Sequence, residues 1–184
     1  DFAGAYAQGL RDAGILPVLK HFPGHGQASG DSHAEGVVTP PLDQLLDQDL
    51  VPYRTLTSAA PVGVMVGHMQ VPGLTGSEPA SLSPAAYALL RSGDYGGPPF
   101  AGPVFTDDLS SMRAISDRFG VPDAVLRGLQ AGADVALWVT TAEVPAVLDR
   151  LEAAVAAGEL TLPNVDASVQ RVVAMKGPSP RCGG

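Results

Sequence analysis

The chain has one cysteine in 184 residues, no excess of basic charge and no long apolar run, and each shortage closes off a class of protein. Cys182 lies in a Pro/Gly tail, so no internal disulfide can form and the redox compartment stays open. Lys and Arg number 11 against 19 Asp and Glu, giving a net charge of −8 and a pI near 4.7. Such a surface repels nucleic acid and anionic membranes and accepts a neutral or cationic ligand. No apolar stretch approaches the roughly 20 residues of a membrane span, so no membrane segment is expected in this chain. No charged-then-apolar leader opens it either. Asp1 stands first and Phe2 to Ala13 reads as the middle of a helix, so the true start is expected upstream, and the compartment, cytoplasmic or exported, is left open. Repeats, low-complexity tracts and interdomain linkers are also missing. One domain over residues 1–176 is expected, with a loose tail at 177–184.

What the chain does contain is an alternation of short apolar runs with amphipathic stretches. Ile15–Leu19, Val62–His68, Pro103–Thr106 and Gly132–Val139 read as strands buried on both faces. Between them, helical spacing covers Phe2–Ala13, which ends at Gly14, and Leu42–Leu56, which Pro52 splits. Further helices are expected over Pro84–Arg91, Val121–Ala131, a stretch opened by a capping box at Thr140–Glu143 and running to Gly158, and Asn164–Lys176. Four strands alternating with helices imply an α/β fold with parallel strands and right-handed crossovers. Two architectures satisfy that: a small open sheet, or the C-terminal half of a (β/α)8 TIM-type barrel. A complete barrel takes about 250 residues, so the second requires an amino-terminal half that this chain does not carry.

Polar residues cluster where the strands end. Three of the four histidines fall within Lys20-His21-Phe22-Pro23-Gly24-His25-Gly26-Gln27-Ala28-Ser29-Gly30-Asp31-Ser32-His33, directly after the first strand. His68 follows the second strand and Asp107-Asp108 the third. Barrel enzymes place their catalytic groups at the carboxyl ends of strands, which favours the half barrel. Adjacent side chains at a strand end point opposite ways, so only one of the two aspartates can face a substrate, and the other suits a capping role.

The run Lys-His-Phe-Pro-Gly-His-Gly with Asp-Ser-His a few residues on resembles the signature of family 3 glycoside hydrolases, in particular the β-N-acetylglucosaminidase (NagZ-type) branch. The likeness continues through Gly67-His68-Met69, Pro79-Ala80-Ser81-Leu82-Ser83, Phe105-Thr106-Asp107-Asp108-Leu109-Ser110, Ala131-Gly132-Ala133-Asp134 and Arg171-Val172-Val173-Ala174-Met175-Lys176. The resemblance implies that Asp107 is the nucleophile, forming a covalent glycosyl-enzyme, and that His33, braced by Asp31, is the acid/base. An imidazole suits that task because its pKa of about 6.5 lies near neutral pH. Lys20 and His21 are implied as donors to sugar hydroxyls, and His68 is taken with them as a substrate-binding residue. Gly24, Gly26 and Gly30 are expected to allow positive φ, His25 to support the loop, and Met69 and Trp138 to pack in the core.

The implied reaction is retaining hydrolysis of terminal β-linked N-acetylglucosamine from cell-wall fragments or chitooligosaccharides, without cofactor or metal. The implied partner is a small carbohydrate, and the missing half of the barrel is expected to be required. Three alternatives stand beside this reading: phosphorolysis of the same bond, since a histidine does not repel phosphate as a carboxylate would; a metal-dependent hydrolase using His21, His25, Asp31, His33 and His68; and an inactive fragment.

Overall fold

A computed structural model describes residues 1–30 and 36–177. Four parallel strands, β1 (Val18–Phe22), β2 (Gly63–Val66), β3 (Val104–Asp108) and β4 (Val135–Leu137), lie side by side in the order of the chain. The strands join in sequence, and right-handed crossovers then put every connecting helix on the same face. An open doubly wound sheet would instead reverse strand order and carry helices on both faces. Burial agrees with the half barrel. Val64, Val66, Val104 and Thr106 are wholly buried on the helix-covered face, whereas Val18, Met65, Phe105 and Asp107 keep exposure on the other.

The helices are α1 (Phe2–Asp12), α2 (Leu42–Asp47), α3 (Val51–Ala59), α4 (Pro84–Ser92), α5 (Arg113–Ser116), α6 (Val121–Ala131), α7 (Val144–Ala156) and α8 (Leu162–Lys176). Pro52 indeed separates α2 from α3 and sits in the first turn of α3, where its missing N–H costs nothing. The core lies between helices and sheet, with Phe22, Leu50, Val64, Val66, Leu90 and Tyr95 at its centre. A second cluster joins Leu109, Ile115, Val125 and Val147 under α6 and α7. Close packing there depends on Gly128, where a Cβ would stand 3.0 Å from Thr106 Cγ2.

Three sequence expectations need correction. The first strand starts at Val18, so Lys20 and His21 lie within it, and Asp107 and Asp108 likewise lie within β3. Both strands carry a register shift near their ends, which lets polar residues stay in the strand without facing the core. The Thr140–Glu143 box does not form: a 3₁₀ turn occupies Thr141–Glu143 with no side-chain cap, and α7 begins at Val144. The tail expected to be loose, with Cys182, lies outside the described residues beyond Gly177. Among the described residues, no helix is long and apolar enough to cross a membrane.

Away from the strand tips, Asp134 ties the layers together. Its buried carboxylate accepts from Arg91 Nη2 at 2.7 Å, from the backbone N–H of Val104 at 2.9 Å and from Arg171 Nε at 2.8 Å. Helices α4 and α8 are thus clamped to the start of β3 through one side chain. Truncating it leaves two arginines facing each other without their anion, and loss of one partner from a buried pair costs about 3–5 kcal/mol. Asp134→Ala should therefore shift the urea midpoint sharply down, while an exposed control, Asp117→Ala, should move it little.

Candidate active site

Asp107 and His21 meet across β2. The Oδ2 of Asp107 lies 3.4 Å from Nε2 of His21, although the two residues come from β3 and β1. The other carboxylate oxygen, Oδ1, accepts the N–H of Asp108 at 2.9 Å, so one oxygen is tied back to the main chain while the second faces outward. Lys20, exposed beside His21, adds a positive charge that the imidazole feels. His25 packs edge-on against His21 with ring centroids 5.9 Å apart.

The pKa of His21 falls below its ordinary 6.5. Desolvation is the main cause; Lys20, His25 and His68 add to it, while Asp107 pulls the other way. The imidazole is consequently neutral at neutral pH.

Asp108 has a different task. Partial burial raises its pKa, but hydrogen bonds from Ser110 and Ser111 outweigh that and hold the carboxyl below its usual range. Its Oδ1 accepts from Ser110 N at 2.9 Å and Ser110 Oγ at 2.6 Å, and Ser111 Oγ donates to Oδ2. It caps the turn after β3 and not a helix, since α5 begins after Met112. The two carboxylates thus take different partners, Asp107 toward His21 and Asp108 toward the serines after β3.

His68 is 1% exposed, and both of its ring nitrogens are engaged. Nε2 lies 2.8 Å from the carbonyl oxygen of Asp108 and Nδ1 lies 2.6 Å from Ser81 Oγ. A carbonyl only accepts, so Nε2 carries the proton and donates. Its place is underneath the aspartates, closed off from solvent in this chain. Met69 is fully buried in the core, and Trp138 packs against the second cluster with its indole N–H donating to Thr140 O at 2.9 Å.

The histidine loop is anchored at both ends. Gly24 and Gly30 adopt positive φ, 148° and 90°, whereas Gly26 does not; its N–H is held by Asp49 Oδ1 at 3.2 Å. At Gly24 a Cβ would fall 2.3 Å from Asp49 Cβ, so the aspartate and the loop fit only around glycine. Further on, Ser29 N–H donates to Val38 O at 3.0 Å and Gln70 N–H to Val37 O at 2.8 Å, stitching the neck of the loop to the segment after β2. Asp31 and His33, the expected acid/base pair, lie outside the described residues. Among the described residues, no group of three or more His, Cys, Asp or Glu could hold a metal ion. Asp49, Ser81 and Ser110 went unrecognised in the sequence. For Ser81 a signal existed, a serine inside an otherwise apolar buried block, but Asp49 is one of several acidic residues near helix ends.

The chain belongs to glycosyl hydrolase family 3, whose N-terminal domain profile matches residues 1–175. It is 76% identical over 183 residues to the beta-hexosaminidase LpqI of Mycobacterium tuberculosis, covering 99% of this chain and 47% of that protein. A family 3 glycosyl hydrolase from Mycobacterium smegmatis superposes with a TM-score of 0.95 at 77% identity, over 96% of this chain and 54% of the other. The family 3 β-N-acetylglucosaminidase of a Paenibacillus strain gives 0.85 at 34% identity, over 94% and 33%. The chain thus spans about half the length of the mycobacterial relative, and its four-stranded parallel sheet forms part of the family's barrel.

The juxtaposition of Asp107 and His21 can be tested by titration. Asp107 raises the imidazole pKa, so Asp107→Asn should lower it further, and an NMR titration of the His21 ring should record the move. Because its folded-state pKa lies below the 6.5 of the unfolded chain, the unfolded state takes up the proton first. His21 therefore costs stability as pH falls below about 6.5 toward the folded value.

Proposed function

We propose that residues 1–176 are the carboxyl-terminal half of the catalytic barrel of a retaining β-N-acetylhexosaminidase, acting on terminal β-linked N-acetylglucosamine in cell-wall fragments or chitooligosaccharides. The observation that carries this reading is the approach of Asp107 Oδ2 to His21 Nε2 at the carboxyl ends of two strands. It places a charged oxygen beside neutral and cationic hydrogen-bond donors, an arrangement that suits a polyhydroxylated substrate. The names of the relatives point the same way.

In this proposal Asp107 Oδ2 attacks the anomeric carbon, and the bond to the aglycone oxygen breaks as His33 protonates it. Asp31 stabilises the imidazolium that His33 forms when it later takes a proton from water. That water displaces Asp107 from the sugar, and two inversions give net retention. Lys20 and His21 bind sugar hydroxyls. Asp108, held as an anion by its serine partners, takes no part in proton transfer. The pocket is completed by the other half of the barrel, which the proposal requires for activity.

An aryl β-N-acetylglucosaminide assay decides the matter, run on this chain and on the chain joined to the amino-terminal half that its longer relatives possess. The complete barrel should turn the substrate over, and Asp107→Ala should lower kcat by about 10⁶-fold, as loss of a nucleophile does elsewhere. Undiminished activity in that variant would remove Asp107 from the reaction. Product formation that depends on added phosphate would move the reading to phosphorolysis.

A further inference from the structure

The ladder between β2 and β3 pairs Val64 with Val104, Met65 with Phe105 and Val66 with Thr106. Two residues beyond the last pair, the same register sets His68 opposite Asp108. No backbone bond continues the strand pairing there. Instead the imidazole of His68 donates from Nε2 to the Asp108 carbonyl at 2.8 Å. A side chain thus extends the ladder past its end, on the residue that follows Asp107.

On the other side, the register of β3 with β4 shifts between Phe105 and Asp108; past the shift Asp108 pairs with Leu137, whose carbonyl accepts the N–H of Leu109 at 2.9 Å, while the N–H of Leu137 donates to the Thr106 hydroxyl oxygen at 3.0 Å. The peptide after Asp107 is thus gripped from both neighbours, and on the β2 side the grip is the His68 ring. The ring is itself fixed: Ser81 Oγ donates to Nδ1 at 2.6 Å, Ser81 N–H donates to Gly67 O at 2.9 Å, and the buried Tyr87 hydroxyl donates to Ser81 O at 2.8 Å. The links through Ser81 are buried and the one to Asp108 is partly so.

We propose that His68 is the positioning residue of Asp107, locking the peptide that follows it through the Ser81–His68–Asp108 chain so that the carboxylate keeps its aim as the glycosyl bond forms and breaks. This rests on the reading of Asp107 as nucleophile. His68 touches no substrate, so its loss should act on kcat and leave KM nearly unchanged. A misaimed nucleophile costs on the order of 100-fold.

The test uses the complete barrel and an activated fluoro-N-acetylglucosaminide that traps the glycosyl-enzyme, with the labelled peptide and its rate of formation read by mass spectrometry. His68→Phe keeps the ring volume but cannot donate to the Asp108 carbonyl; it should label Asp107 about 100-fold more slowly, with KM for the aryl substrate within about 3-fold. His68→Gln retains a donor at the reach of Nε2 and should recover most of the rate. Should the Phe variant fail to fold, Ser81→Ala, which releases the ring, is expected to slow labelling by about 10-fold with KM held. Wild-type labelling at Asp107 with an equal rate in His68→Phe, or in Ser81→Ala, would overturn the positioning role alone. Wild-type labelling at another residue, or none, would overturn the nucleophile reading and this inference with it.

Discussion

Asp107 owes its direction to the way β3 leaves the sheet. Between β2 and β4 the strand is paired through Thr106 on one side and, after a slip in register, through Asp108 and Leu137 on the other, so on the β2 side its last two residues are held by side chains and not by the ladder. The carboxylate of Asp107 bonds its neighbour's N–H, the carboxylate of Asp108 binds two serines, and the Asp108 carbonyl binds His68. All but the exposed Ser111 bond are partly buried, where an unmade one would cost more than its formation contributes. The result is one aspartate directed toward His21 and one committed to the turn.

The two ends of the strands differ, with the Lys20, His21 and Asp107 cluster at the carboxyl ends and a structural ion cluster at the amino ends. Asp134 supplies the second. It gathers Arg91, Arg171 and the backbone of Val104 around a carboxylate with no solvent exposure, and Arg91 also donates to Phe100 O and Gly102 O. The family blocks quoted from the sequence turn out to be contact partners. Ala131–Asp134 meets the block beginning at Arg171, and Gly67–Met69 meets both Pro79–Ser83 and the Asp107–Asp108 run. Motifs far apart in the chain are thus halves of single structural devices.

Both flanks of the sheet carry large apolar side chains in contact with solvent. On one side these are Phe2, Tyr6 and Val18 of α1 and β1; on the other, Leu137, Leu148 and Val173 of β4, α7 and α8. A cleft of about 780 Å³ opens between α1 and β1, lined by Phe2, Tyr6 and Leu10 and reaching Lys20 and His21. Surfaces of this kind bury against further structure, and in a closed barrel they would face neighbouring strand-helix units. The fit with relatives of about twice the length is direct, because four strands are half of eight.

The sequence by itself determined the class of fold, the count and order of the four strands, and the residues at their tips. Apolar runs of four to eight residues between amphipathic stretches leave little choice, and an aspartate pair or a histidine-glycine loop is written locally. Tertiary structure alone decided which of those residues converge. Strand ends moved by up to three residues because register shifts let Lys20, His21, Asp107 and Asp108 remain in the sheet. The capping box at Thr140 gave way to a 3₁₀ turn, and His68 became a buried brace because the register of β2 against β3 set it opposite Asp108. Alternation along a strand is a local property that one chain segment fixes. Which residue stands opposite which, and whether a ring reaches solvent or a carbonyl, depends on pairings between segments forty residues apart, and only packing selects them.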